Sequence, residues 1–397
     1  MPKDNNKKVL NCPPLRFPEF TGEWEANSLK SVCKIDKGAG ISKAELSETG
    51  EPCILYGELY TKYKSEIINE IVSKTNIPSD KLVRSRANDV IIPCSGETAI
   101  DIATARCIPY DNILLGGDLN ILRLSKKVDG AFLSYQLNGT RRKDIAKVAQ
   151  GVSVVHLYPE HIKGIKVYIP TAHEQKKIAK LISLLDERIA TQNKIIEDLK
   201  KLESAIIEAS FSTNDIKVQL SNLLVQQSTR NRRGLDLKVL SVSNKHGFIA
   251  QSEQFEDREI ASEDTSNYKV VSKGMFAYNP ARINVGSIAL YKDEEQGIVS
   301  PMYVCFSTKK QLLPLYLKHF LSSNYFQHEM YKRLEGSVRL CLVFDGLCNI
   351  QIPLPNTAPQ QHIANRIDSI DAKIQLELKL LGAYNLQRSF LLSQMFI

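Results

Sequence analysis

From Ile178 onward, apolar residues return every seven positions: Ile178, Leu185, Leu199 and Ile206, with Gln192 between them. Leu181, Ile195 and Leu202 occupy companion positions, and Ile182, Ile189 and Ile196 flank the stripe. Such a seven-residue repeat is the seam of a coiled coil. No Gly or Pro interrupts it between Pro170 and Phe211. The pattern predicts one helix of roughly 35 residues, about 50 Å long at 1.5 Å per residue. A second stripe runs through Ile363, Ile367, Ile370, Ile374, Leu378, Leu381, Leu391 and Met395, weakened at Gly382. Each begins just after prolines, at Pro170 and at Pro353, Pro355 and Pro359, as suits a helix start.

The two stripes are copies. A period of 185 residues pairs Gly151 with Gly336, Leu157 with Leu342, Ile165 with Ile350, Pro170 with Pro355 and Gln175 with Gln360. It continues without a gap through Ile182/Ile367, Asp186/Asp371 and Ile189/Ile374 to Phe211/Phe396. Upstream the likeness is one of outline: residues 88–93 echo 274–280, and 28–32 echo 219–223. The chain therefore divides into globular blocks at 1–169 and 212–354 and helical blocks at 170–211 and 355–397. The expected class is α+β: two mixed α/β domains separated by two long antiparallel helices, related by a pseudo-twofold repeat. In the globular blocks, residues 90–92, 112–115, 121–124, 238–242 and 303–306 read as short strands. Residues 65–74 and 313–322 read as helices.

Composition narrows the class. Of 397 residues, 24% are charged and 43% hydrophobic, which excludes a disordered tail. No apolar run approaches the ~18 residues of a membrane span. The first residues carry Lys3, Lys7 and Lys8 but no apolar stretch follows, so a soluble chain inside the cell is expected. Eight scattered cysteines form no CxxC pair, so they are expected to be reduced, with no metal site. The formal charge of +8 sits in the globular blocks, +4 in 1–169 and +3 in 212–354, against zero and +1 in the helical blocks.

Two like-signed modules on a neutral rod suit a grip on two places along a polyanion. Local clusters sharpen this. In the second block, Thr229, Arg230, Asn231, Arg232 and Arg233 form a basic loop ending in Gly234, with Lys245 following. Arg282 and Asn284 follow Pro280, and Arg339 follows Gly336. The first block offers Lys37, Ser42 and Lys43, then Ser95, then Arg141, Arg142 and Lys143 before Gly151. Arg and Asn pair bidentately with guanine and adenine edges. Each cluster alone is better read as a solvated loop; recurrence in both halves favours double-stranded DNA.

Catalytic signatures are missing. There is no GxxxxGK[ST] loop, no GxGxxG after a strand, no GxSxG elbow and no HExxH helix. Asn279-Pro280-Ala281-Arg282 lacks the second Pro and the aromatic of an amino-methyltransferase motif. No catalytic residue, metal or cofactor is expected in this chain.

With the repeat and the loops in hand, three stretches make the chain resemble the DNA specificity subunit of type I restriction-modification enzymes. They are Leu15-Arg16-Phe17-Pro18-Glu19-Phe20-Thr21-Gly22-Glu23-Trp24, Ile169-Pro170-Thr171-Ala172-His173-Glu174-Gln175-Lys176-Lys177-Ile178-Ala179, and the latter's second copy at 354–364 with Pro359 replacing Glu. The resemblance implies two target-recognition domains reading the halves of a split, asymmetric DNA site in a bacterial or archaeal cytoplasm. It implies that the long helices set the spacing and dock two methylation subunits, with restriction subunits added in the full complex. S-adenosylmethionine, ATP and Mg would belong to those partners. Ile178, Leu185, Ile189, Ile196, Leu199, Ile206, Ile363, Ile370, Ile374, Leu381 and Leu391 are expected to form the coiled coil and its docking surface. Two other readings fit the residues less well: a coiled-coil adaptor with protein-binding ends, and an orphan methyltransferase or nuclease with degenerate motifs.

Overall fold

The computed structural model describes residues 11–78, 80–212, 216–244, 246–251, 264–336 and 339–397. It divides into two compact units, Met1–Asn193 with Lys379–Ile397, and Lys194–Leu378. These units do not coincide with the four blocks read from the sequence, because each takes one part of both long helices.

In the first unit, β1 (Glu25–Ser28) leads into β2 (Cys33–Lys37). A four-stranded sheet follows, ordered β2, β5 (Leu119–Leu124), β3 (Asp89–Pro93) and β4 (Arg106–Ile108), all neighbours antiparallel. Val90, Ile91, Ile92, Ile121 and Leu122 are buried, so the runs of β-branched and aliphatic residues lie covered on both faces. A second sheet pairs Glu51–Ile54 in parallel with Leu114–Leu115. Helix α1 (Gly130–Asn138) packs Phe132 against Trp24, ring centroids 5.6 Å apart. Strand β6 (Lys166–Ile169) returns to pair with β1, and α2 (Ala172–Phe211) starts after it.

The second unit repeats this order. β7 (Lys217–Gln219) precedes a sheet ordered β8 (Leu224–Gln227), β11 (Val304–Thr308), β9 (Phe276–Tyr278) and β10 (Ile288–Leu290). A second sheet again contains a parallel pair, Lys238–Ser243 with Gly297–Val299. Helix α3 (Pro314–Phe320) stands where α1 does, β12 (Gln351–Pro353) pairs with β7, and α4 (Thr357–Gln394) follows. The chain is thus α+β with an internal repeat, and the long helices are continuous.

Within each unit the helix segments run antiparallel. In the first, Ile178, Ile182 and Leu185 of α2 share a buried cluster with Leu391 of α4 and with Met395 beyond it. In the second, Ile207 and Phe211 share one with Ile367, near the start of α4. Ile196 and Ile374 are buried, and Ile189, Leu199, Ile206, Ile363, Ile370 and Leu381 are half-buried. These positions therefore lie inward, whereas Leu378 and the companion positions Leu181, Ile195 and Leu202 are exposed.

One helix expectation is corrected. Residues 65–74 form irregular chain ending in the strand Ser73–Thr75. Their backbone bonds go to β4 instead: the Ile68 amide donates to the Cys107 carbonyl at 2.9 Å, and the Cys107 amide to Glu66 at 2.7 Å. Ile67, Ile68 and Ile71 are β-branched residues, which favour such pairing over a helix. The cysteines are all unpaired, with Cys53, Cys94, Cys107 and Cys305 buried.

Candidate nucleic-acid interface

The same backbone device recurs beside the central sheet of each unit. In the first, Gln150 and His156 exchange amide-carbonyl bonds of 2.9 and 2.7 Å, closing a hairpin. In the second, Glu335 and Cys341 do so at 2.9 and 2.8 Å. Each turn begins at a glycine of positive φ, Gly151 (124°) and Gly336 (116°). A Cβ there would collide with the carbonyl oxygen of Val154 or Arg339, so only glycine fits. Each hairpin is tied to the loop after the central strand: the Leu157 amide donates to Cys94 at 2.8 Å, and the Leu342 amide to Pro280 at 3.0 Å.

Around the first hairpin the structure gathers Lys37, Ser95, His156 and Tyr158. Ser95 Oγ lies 3.2 Å from His156 Nδ1, Lys37 Nζ sits 5.5 Å over the Tyr158 ring, and His156 stacks on that ring. His156 and Tyr158 escaped the sequence reading because their partners lie far along the chain. A cleft of about 520 Å³ adjoins, lined by Tyr56, Tyr60, Ser95, Ser153 and Val154, with Glu97 and Asp101 at its acidic side.

In the second unit a cleft of about 330 Å³ is lined by Ser243, Asn244, Asn279, Arg282, Ser300 and Met302, among others. Asn279 Oδ1 accepts from the Ala281 amide at 3.1 Å, holding the turn that presents the exposed Arg282. Tyr268 also lines this cleft, and next to it Arg230 donates to Asn267 Oδ1 at 3.0 Å. The Thr229 carbonyl accepts from Val270 at 2.8 Å. Arg232, Arg233 and Arg339 are exposed. Asn284 is half-buried, and Lys245 lies outside the described residues.

The structure engages some of the expected side chains within the fold and leaves others exposed. Asn231 is only 2% exposed, and its side chain spans the Leu235 amide and carbonyl at 3.0 and 2.9 Å, so it shapes the basic loop rather than reading a ligand. Arg141 donates to the Ile397 carbonyl oxygen and to Asp144 at 3.1 Å, and its guanidinium lies over Tyr168. It anchors the chain's last residues. Arg142 donates to the Ile100 carbonyl at 3.1 Å and is half-buried, leaving Lys143 as the exposed member of that trio. Ser42 and Lys43 form a short turn in which Glu45 accepts from the Ser42 amide at 2.7 Å. Both remain exposed.

The hairpin beside a polar cleft, carried by each copy of a duplicated α+β domain next to segments of the long helices, makes this an internally repeated α+β protein. The chain belongs to the family described as Type I restriction modification DNA specificity domain, which it matches over residues 21–201 and 258–382. It is 26% identical to the Type I restriction enzyme MjaVIII specificity subunit of Methanocaldococcus jannaschii, covering 95% of this chain and 92% of that one. It is 23% identical to the putative MjaX specificity subunit of the same organism, covering 94% and 92%. Among solved structures, the S subunit of a type I restriction-modification system from M. genitalium superposes with a TM-score of 0.63 at 16% identity. That match covers 97% of this chain and 99% of the other. A chain solved in work on complex assembly and conformational transition of the type I R-M system gives 0.55 at 16% identity, covering 96% and 99%.

Proposed function

We propose that this chain reads a split DNA site as the specificity subunit of a type I restriction-modification complex. Full-length similarity to specificity subunits carries the reading, and the duplicated hairpin-and-cleft faces support it. Phosphate contacts would hold each domain in register while a few side chains read base edges. Linking two weak readers raises the effective concentration of the second once the first is bound.

Methylation subunits would dock on the long helices, with restriction subunits added in the full complex. Because most of the seven-residue seam is inward, the docking face is assigned instead to the apolar residues left exposed. Leu386 and Phe390, 74% and 57% exposed, belong to it, with Leu181 and Leu184 on α2. Scattered exposed apolar residues are ordinary, but this many on one helix pair suit a partner. Bond chemistry, with S-adenosylmethionine, ATP and Mg, would belong to the partners, in a bacterial or archaeal cytoplasm. Among the described residues, no helix is long and apolar enough to cross a membrane.

The test is selection from a random duplex library by the chain assembled with its methylation subunits. Two short words at one fixed gap are expected. Absence of any enriched sequence would favour the adaptor reading.

A further inference from the structure

We infer that the hairpin turn at residues 151–154 is a base-reading finger of the first domain, and that Val152 recognises the C5-methyl group of a thymine in the major groove. This rests on the reading of the chain as a DNA specificity subunit. Val152 is 97% exposed and Val154 52%. The turn is locked by a glycine of positive φ, so the bare Val152 is held in one place, and covering it would be favourable.

Three observations indicate that DNA is the cover. The outgoing arm of the hairpin, Val155–His156, pairs with Ser95–Gly96, so the turn is held beside the Lys37, Ser95 and His156 group. The matched hairpin of the second domain is closed by the same backbone bonds and carries the exposed Arg339 where the first has Val154. Two hairpins closed alike thus carry different side chains at this matched position, Val154 against Arg339, as suits two words that differ. A two-stranded ribbon also fits the major groove, the one groove where thymine shows its methyl and where apolar side chains distinguish it.

The test uses the full chain assembled with its methylation subunits, on the duplex site that selection returns. Each thymine of the first word is replaced in turn by deoxyuridine, which removes only the methyl. Affinity should fall about fourfold at one position, the effect of one buried methyl-sized group. The Val152→Ala variant should bind the thymine site about fourfold more weakly and lose most of that sensitivity, with the second word unchanged. Equal binding of deoxyuridine at every first-word position would overturn the inference while leaving DNA reading intact, since both words would persist. A Val152→Ala variant that assembles poorly with its partners yet keeps the same first word would assign the finger to protein contact and overturn it as well. Loss of all sequence preference in the unaltered complex would instead defeat the underlying function.

Discussion

Gln175 and Gln360 make the same three hydrogen bonds in their respective units. Gln175 Oε1 accepts from the Asp129 amide at 2.8 Å, while its Nε2 donates to Lys127 at 3.0 Å and Pro170 at 2.9 Å. Gln360 Oε1 accepts from the Leu313 amide at 2.9 Å, while its Nε2 donates to Gln311 and Pro355, both at 2.8 Å. Both side chains are buried. Each glutamine ties the first turn of a long helix to the start of the domain helix that precedes it.

Gln175→Leu and Gln360→Leu should therefore each cost about 2–4 kcal/mol, since main-chain groups would be left buried without partners. Denaturant unfolding of the single variants measures this. Near-neutral outcomes would mean that water replaces the amide.

The residue before each glutamine behaves differently. Glu174 is buried, accepting from Arg16 at 2.7 and 2.8 Å and from Trp24 Nε1 at 3.1 Å. Pro359 is exposed and occupies the first turn of α4, where no amide is required. The segment bearing Arg16 and Trp24 precedes only the first domain, which accounts for the departure of the second copy. Glu174→Gln should destabilise by roughly 2–3 kcal/mol, whereas Pro359→Glu should change stability by under about 0.5 kcal/mol.

The sequence made the repeat and the helices legible because the period of 185 and the seven-residue stripe both come from packing that covers many residues. The hairpins were not legible. Their closure at Gln150/His156 and Glu335/Cys341 uses backbone groups, so only the paired glycines hinted at them. Arg141 read as a free cation because its partner Ile397, unlike nearby Asp144, is 256 residues away. Asn231 read as a base reader because nothing local reveals that Leu235 claims both ends of its amide.

Those last two assignments separate in a binding assay. Arg282→Ala or Arg339→Ala should cost about 1–3 kcal/mol and relax one base position, if that residue reads a base edge. If it instead meets phosphate, all sequences should weaken alike and the salt dependence flatten. Asn231→Ala and Arg141→Ala should lower stability while leaving the preferred word unchanged. A changed first word in Arg141→Ala would reverse its assignment as an anchor.

At the helix pair of the first unit, Arg388 donates to Asp186 at 2.6 Å and also to Glu66, and Tyr135 donates to Asp186 at 2.7 Å. Burial pushes Asp186 upward against the pull of Arg388. Arg388→Met would leave two carboxylates together, costing about 3–5 kcal/mol at neutral pH. The loss should shrink as pH falls and Asp186, already pushed upward by burial, takes up a proton. Adding Asp186→Asn and Glu66→Gln should restore much of the stability at pH 7, and failure to do so would show that Arg388 acts through its packing.

The second unit carries a group of opposite pH behaviour. His319 on α3 lies with Nε2 3.1 Å from Asp368 Oδ1, beside Lys318, which also reaches Asp368 at 2.9 Å. Burial first, and then the Lys318 charge, push the His319 pKa down from 6.5 to about 4; Asp368 pulls the other way. A histidine kept neutral in the fold takes up its proton more readily once unfolded. Its contribution is thus intact above pH 6.5, declines as pH falls, and is fully lost below about 4. A shift of that size corresponds to at most about 3 kcal/mol. Replacing His319 with Asn removes the titrating group, so the difference in unfolding free energy between the two proteins should change across pH 6.5 to 4 and be flat above it. Glu203, raised by burial and by nearby Asp371, titrates in both proteins and cancels in that difference. A difference that stays constant throughout this window would show that His319 titrates alike in folded and unfolded chains.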